Sequence, residues 1–297
     1  MDIGFSMMGE TNYFAKWYLP TVPFHQQWIA AVKALEHFGE FAKANKLKSL
    51  ELDWTYPHGN FDELSRFGAI RKVIERLSQD YSASHHGPMA SMASDDPVLR
   101  RAHAAEVLRC IMFGQAIDSD MLHVVHLIDS EYRPPWKRFQ GDDPVYDAAR
   151  MTKAGIASAL DLKNQLEIAV EMGMPGFKEG KFKIGLETLS AGMPAFHHPN
   201  EFKTLLDDNF GLVLDLCHLD GNEIPVWETI EQSWEHIFEI HLTANDRGYD
   251  DHCGLNDCTI KILGQLRDRG FKGRIIAEIK PKFIAPSIAL LRREGFM

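Results

Sequence analysis

Short apolar runs that end in a carboxylate or an imidazole recur along this chain, and they constrain its fold more than any other feature. The clearest is Gly211-Leu-Val-Leu-Asp215, with His218 three positions further on. A run that is apolar on both faces and charged only at its C-terminal edge suits a strand buried in a parallel sheet. Comparable runs end at or beside His86, His126, Glu187, His241 and Glu278. Parallel strands bring their C-terminal ends to one rim, which is where ligands and catalytic groups gather in α/β folds.

Strands are expected at Ile3–Met8, Leu47–Trp54, Tyr81–His86, Met121–Leu127, Phe182–Glu187, Gly211–Asp215, Ile237–Leu242 and Arg274–Glu278. Helical spacing predicts helices over His25–Asn45, over Phe61–Leu77 behind an Asn60 cap, and from Asp95 or Asp96 to Gly114. Further helices are expected over Asp147–Met172, in a short segment capped by Asn200, and over Ile224–Trp234, Asn256–Arg269 and Pro286–Arg293. Eight strand–helix units without a linker in 297 residues predict an α/β fold, a (β/α)8 TIM barrel spanning residues 1–297 as a single domain. An open doubly wound sheet is the runner-up. It would carry a glycine-rich phosphate turn after its first strand, and Gly9-Glu-Thr-Asn12 is not one.

Composition narrows the function. The net charge of −10, from 32 basic and 42 acidic residues, gives no electrostatic footprint for nucleic acid, although such a total hides any local basic patch and nucleic acid is not excluded as a partner. No apolar run is long enough for a membrane span, and the first residues lack the pattern of a signal peptide. Four scattered cysteines, Cys110, Cys217, Cys253 and Cys258, do not make a disulfide framework and fit a cytoplasmic location. Cys253 and Cys258 lack a second pair to complete a thiolate metal site and are read as structural. Oligomeric state is left open, a homo-oligomer being compatible with the sequence.

Carboxylate oxygen and imidazole nitrogen are the donors that hold Mn2+, Zn2+, Mg2+ or Co2+. The strand ends supply His86, His126, Glu187, Asp215, His241 and Glu278, and the following loops add His218, Asp250 and His252. His123, His197, His198 and His236 are read as hydrogen-bonded structural residues, and Asp53 as a helix cap. Two long segments, Glu10–Pro23 and Asp129–Val145, carry Trp17, Tyr18, Trp136 and Phe139 and are expected to cover the mouth of the barrel.

Six stretches carry a family resemblance: Ser84-His-His-Gly-Pro-Met-Ala-Ser-Met-Ala-Ser-Asp-Asp-Pro-Val-Leu-Arg100, Val124-Val-His126, Ile184-Gly-Leu-Glu187, Val213-Leu-Asp-Leu-Cys-His218, Ile240-His-Leu-Thr-Ala-Asn-Asp246 and Ile275-Ile-Ala-Glu278. Together the chain resembles the xylose-isomerase-like barrel superfamily, which joins sugar isomerases and epimerases to endonuclease IV, the apurinic-site nuclease of AP endonuclease family 2. The likeness to the epimerases implies that Glu187, Asp215, His241 and Glu278 hold one divalent ion. It also implies that Glu187 and Glu278 move protons on opposite faces of the substrate, while His218 and Arg247 contact its oxygens. The likeness to endonuclease IV implies a three-zinc cluster with His86, His126, His218, Asp250 and His252 as further ligands. Two positions depart from the nuclease pattern. Met89 stands where a tyrosine is common, and Asn256-Asp257-Cys258 replaces a Gly-x-Gly.

Two activities follow as expectations. The first is metal-dependent isomerisation or epimerisation of a small sugar, sugar phosphate or keto-polyol through an enediolate, with Glu187 and Glu278 as the proton-transfer pair. The second is zinc-dependent cleavage of DNA at an apurinic site. A lyase or dehydratase would share the first proton abstraction.

Overall fold

The computed structural model describes residues 3–7, 27–52, 64–88, 90–94, 96–128, 148–177, 182–245 and 252–297. Its strands are β1 Ile3–Ser6, β2 Ser49–Leu52, β3 Ser82–His86, β4 Leu122–Val125, β5 Lys183–Glu187, β6 Phe210–Asp215, β7 Ile237–Leu242 and β8 Arg274–Ala277. The helices are α1 Gln27–Asn45, α2 Leu64–Asp80, α3 Pro97–Gln115, α4 Ala148–Glu171, α5 Leu216–Gly221, α6 Val226–Ser233, α7 Asp257–Asp268 and α8 Pro281–Arg293. The strands follow one another in chain order and close into an eight-stranded barrel, the (β/α)8 architecture that the alternation predicts. No described helix is long and apolar enough to cross a membrane.

The chain divides into two compact units, one of residues 1–86, 239–246 and 251–297, the other of residues 87–238 and 247–250. In the first unit, β3, β2, β1, β8 and β7 pair side by side, all parallel. Helix α1 turns Leu35, Phe38 and Ala42 inward at helical spacing, and the buried Phe5 of β1 meets the Phe41 ring edge-on at 6.0 Å. Each such Leu or Phe contributes about 1.5–3 kcal/mol by leaving water. The period of two along a strand puts Ser49 and Glu51 on one face of β2, and Glu239 and His241 on one face of β7; all four are buried.

In the second unit, β4, β5 and β6 pair in parallel. Every residue of β6 is buried, as its two-faced apolar run requires. Leu122 and Val124 of β4 pack with Val213 of β6 and the partly buried Phe238. Two glycines serve close approach here. A Cβ on Gly185 would lie 2.4 Å from Val213 Cγ2, and one on Gly87 would lie 2.3 Å from the Val124 oxygen. The Gly87 N–H uses that proximity to donate to the same oxygen at 3.0 Å.

Several boundaries differ from the sequence reading. Helix α8 begins at Pro281 and runs through Pro286. Pro281 occupies the first helical position, where no N–H bond is needed, whereas Pro286 lies inside the helix and leaves the Lys282 carbonyl without its i+4 donor. Asn200 does not cap the short helix near it. That segment is a 3-10 turn, Pro199–Phe202, capped by His198, whose Nδ1 accepts from Asn200 N at 3.1 Å. Glu201 completes the arrangement by accepting from the His198 N–H at 3.0 Å. Asp96 is the cap of α3, accepting from Val98 N at 2.8 Å. Cys110, Cys217 and Cys253 are buried and Cys258 is exposed, and none of the four forms a disulfide.

Candidate metal centre

In the second unit, three side chains converge on the end of β5. Glu187 closes that strand and is 2% exposed. His126, one residue past β4, brings its Nε2 to 2.7 Å from Glu187 Oε2. His218 brings its Nδ1 to 3.6 Å from Glu187 Oε1. The expected turn after β6 is a helix instead: α5 starts at once, and Asp215 is its N-cap, Oδ1 accepting from the His218 N–H at 2.9 Å. The Asp215 N–H in turn donates to Thr188 Oγ1 at 3.1 Å. Asp215, fully buried, is thereby fixed from both its backbone and its side chain.

The imidazole of His218 is oriented by the backbone. Its Nδ1 lies 2.6 Å from the Thr188 carbonyl oxygen, which can only accept, so Nδ1 carries the proton and Nε2 keeps its lone pair.

In the first unit, the fully buried His241 of β7 lies between three carboxylates. Its Nδ1 is 3.0 Å from Glu278 Oε2. Its Nε2 is 3.2 Å from Glu239 Oε1 and 3.0 Å from Glu51 Oε2. The His86 ring stands nearly parallel to that of His241, with centroids 6.5 Å apart and 19° between planes. Glu278, the residue after β8, is 4% exposed. Burial pushes its carboxyl up, but the imidazoles of His252, His241 and His86 outweigh that and hold it at about 2. His252 takes a left-handed backbone, φ 41°, and donates Nδ1–H to the Glu278 carbonyl oxygen at 3.0 Å. The segment around it is tied down by the Ala244–Cys253 bridge, by Thr243 Oγ1 donating to the Cys253 oxygen at 2.9 Å, and by Lys280 N donating to the His252 oxygen at 3.0 Å.

The donor chemistry and spacing suit a divalent ion. A His nitrogen and a carboxylate oxygen that each bind one ion at about 2.1 Å come to about 3 Å from one another. The His126–Glu187 and His241–Glu278 separations of 2.7 and 3.0 Å match that edge. Within the first unit, Glu51, His86 and Glu278, and likewise Glu51, Glu239 and His241, each offer donor atoms within 4.8 Å of one another.

Of the residues singled out from the sequence, Arg247 and Asp250 lie outside the described residues, as do Met89, Asp53, Asn60, Trp17, Tyr18, Trp136 and Phe139. The reading as structural suits His198, a cap, and His197, whose Nε2 bonds the Met193 oxygen at 2.7 Å. Glu51 and Glu239 were not anticipated. The signal for them was present, since each sits two residues from another buried polar side chain on an otherwise apolar strand, Ser49 in β2 and His241 in β7.

Comparison with known proteins places these features in a family context. A family model described as xylose isomerase-like TIM barrel matches residues 39–294. No curated protein matches the sequence. Among solved structures, a D-tagatose 3-epimerase-like protein superimposes with a TM-score of 0.67 at 17% identity, covering 99% of this chain and 97% of its own. Endonuclease IV from Thermus thermophilus gives 0.62 at 16% identity, with 99% of each chain covered. The IOLI protein, with a bound zinc atom, gives 0.61 at 14% identity, covering 99% of this chain and 96% of its own. At these identities the structural likeness speaks to the fold.

Proposed function

The chain belongs to the xylose isomerase-like TIM-barrel family, and from that premise we propose that it is a divalent-metal-dependent isomerase or epimerase of a small polyhydroxy carbonyl compound. The observation that carries this reading is that four successive strands, β5 to β8, deliver the buried Glu187, Asp215, His241 and Glu278 at or near their C-terminal ends. We assign these four to one ion, Mn2+ or Zn2+ by donor type, with Mg2+ or Co2+ as alternatives. When bound, the ion would supply charge stabilisation at the substrate's carbonyl and neighbouring hydroxyl oxygens and make the adjacent carbon-bound proton more acidic.

The protein side chains do the rest. Glu278, held at about 2, is ionised at neutral pH, the state from which a proton acceptor must start. Glu187 is the second proton carrier. One of the pair, ionised, removes the carbon-bound proton to give an enediolate, and the other, starting protonated, returns its proton at the same carbon, for epimerisation, or at the adjacent one, for isomerisation, in which the hydroxyl proton passes to the former carbonyl oxygen. Return to the same carbon from the opposite face inverts it. His218, with Nδ1 occupied by the Thr188 oxygen, offers Nε2 as an acceptor for a substrate hydroxyl. Arg247 is assigned to a substrate oxygen. The structural likeness to a D-tagatose 3-epimerase-like protein supports this substrate class.

A second reading, an endonuclease IV-type zinc phosphodiesterase, is favoured by one observation. His218 and His252 both donate Nδ1–H to a backbone carbonyl and so keep Nε2 as a lone pair, the state a metal ligand needs. The acidic net charge of −10 weighs against a DNA substrate. Elemental analysis of the purified protein tests the choice: about one ion per chain is expected for the isomerase, whereas about three zinc per chain would favour the nuclease.

A further inference from the structure

We propose that Glu239, supported by Glu51, is a positioning residue that sets which nitrogen of His241 faces the metal. This rests on the metal reading above and adds to it two further buried carboxylates.

Glu239 and His241 are two apart on β7, so their side chains project from the same face of the strand. The His241 Nε2 bonds Glu239 Oε1 at 3.2 Å and has Glu51 Oε2 at 3.0 Å. Nδ1 points the other way, to Glu278 Oε2 at 3.0 Å. All three carboxylates and the imidazole are at most 4% exposed, so water does not compete for these contacts. An imidazole that must give a lone pair to an ion at Nδ1 carries its proton at Nε2, and that proton needs an acceptor. Glu239 is that acceptor, and Glu51 Oε2 lies on the same side of the ring. With Nδ1 given to an ion, the pair would hold the proton on Nε2 and fix the ring plane, which raises the basicity of the ligating nitrogen. A carboxylate behind a ligating histidine is worth about 10- to 100-fold in metal affinity where it has been removed from other sites. Neither residue touches substrate in this scheme. Each acts through His241.

The test uses the full chain and Co2+ as the probe, followed by its visible absorption. Glu239→Leu, which removes the acceptor, is expected to weaken Co2+ binding about 10- to 100-fold, while Glu239→Gln, whose amide oxygen still accepts, stays within about threefold of wild type. Thermal unfolding of the metal-free proteins checks that the fold is kept. A parallel measurement does not depend on either variant folding. In the Zn2+-loaded wild type, the 15N spectrum of labelled histidine is expected to show the His241 proton on Nε2, the signal being assigned by its loss in His241→Asn. A proton on Nδ1, or Co2+ binding unchanged in a folded Glu239→Leu protein, would overturn the positioning role. A wild type that binds neither Co2+ nor Zn2+ would instead overturn the metal reading on which this proposal rests.

Discussion

The imidazole Nδ1–H of His218 donates to the backbone oxygen of Thr188 at 2.6 Å, and that bond decides what the ring can do. With Nδ1 spent on a carbonyl, Nε2 can accept a hydrogen bond or bind a metal but cannot donate while the ring is neutral. The same logic holds for His252 against the Glu278 oxygen at 3.0 Å. Replacement of His218 by Asn is expected to lower kcat/KM about 10- to 100-fold while leaving the affinity for the first ion within a few-fold, the loss of one polar substrate contact being about 1.5–3 kcal/mol. Loss of one full equivalent of bound metal on His218→Asn would place the ring in a metal site instead.

The two glutamates carry the heaviest catalytic load. Glu187→Gln and Glu278→Gln each remove a proton carrier without changing side-chain volume, and each is expected to lower the rate of sugar interconversion about 10²- to 10⁴-fold. The measurement is the rate with saturating metal ion present, so that lost affinity is not mistaken for lost chemistry. Full activity in either variant would remove that glutamate from the mechanism.

Asp215 has two separable duties. Its Oδ1 caps α5 by accepting from the His218 N–H at 2.9 Å, and the same carboxylate is assigned to the metal. Asp215→Asn keeps an oxygen acceptor for the cap, whereas Asp215→Ala loses it at a cost of about 1 kcal/mol. Both variants are expected to lose most metal affinity, but in urea the alanine variant should unfold at the lower midpoint. Equal midpoints would mean that the cap contributes nothing.

A surface feature gives a pH test independent of the site. Burial raises the Asp207 carboxyl, but the bond from Lys163 and the N–H groups of Phe210 and Asn209, each at 2.8 Å, outweigh it and leave the group below its ordinary value. A lowered carboxylate stabilises the fold above its unfolded pKa, and that stability is lost as pH falls through the folded value. Asp207→Asn is therefore expected to be less stable than wild type at pH 7, with the gap closing in acid. The side chain is 38% exposed, so screening holds the difference to about 0.5 kcal/mol. Melting curves at neutral and acid pH in low salt check the sign, and a gap that widens in acid would refute it.

Gly87 offers a packing test beside the site, immediately after His86. Gly87→Ala would set a Cβ 2.3 Å from the backbone oxygen of Val124, where no flexible side chain can give way. The expected cost is about 1–3 kcal/mol, read as a lower melting temperature. An unchanged melting temperature would show that the β4 backbone yields freely there.

Much of this was legible in the sequence, for reasons that differ between elements. The β6 run is apolar on both faces, and a strand buried at all six residues has no other way to look. Glu187, Asp215 and His241 were visible as polar residues at or near the ends of such runs. Glu51 and Glu239 escape the sequence because a carboxylate inside a strand is costly to bury by itself, and its compensation by His241 comes from tertiary contact. Helix α5 escaped notice because it is six residues long, too short to show periodicity, and its cap is the proposed ligand Asp215. The start of α8 was misplaced because Pro286 reads as a helix beginning, although Pro281 fills that role. Arg247 and Asp250, outside the described residues, stay as the sequence left them.

The most direct test of metal-assisted proton transfer is solvent deuterium exchange. The Mn2+-loaded protein is incubated in deuterated water with a panel of ketohexoses and ketopentoses, and the carbons flanking each carbonyl are followed by NMR. Deuterium is expected to enter at one such carbon of at least one sugar, and to stop entering in Glu278→Gln. No incorporation into any sugar, together with cleavage of apurinic DNA by the zinc-loaded protein, would contradict the isomerase reading.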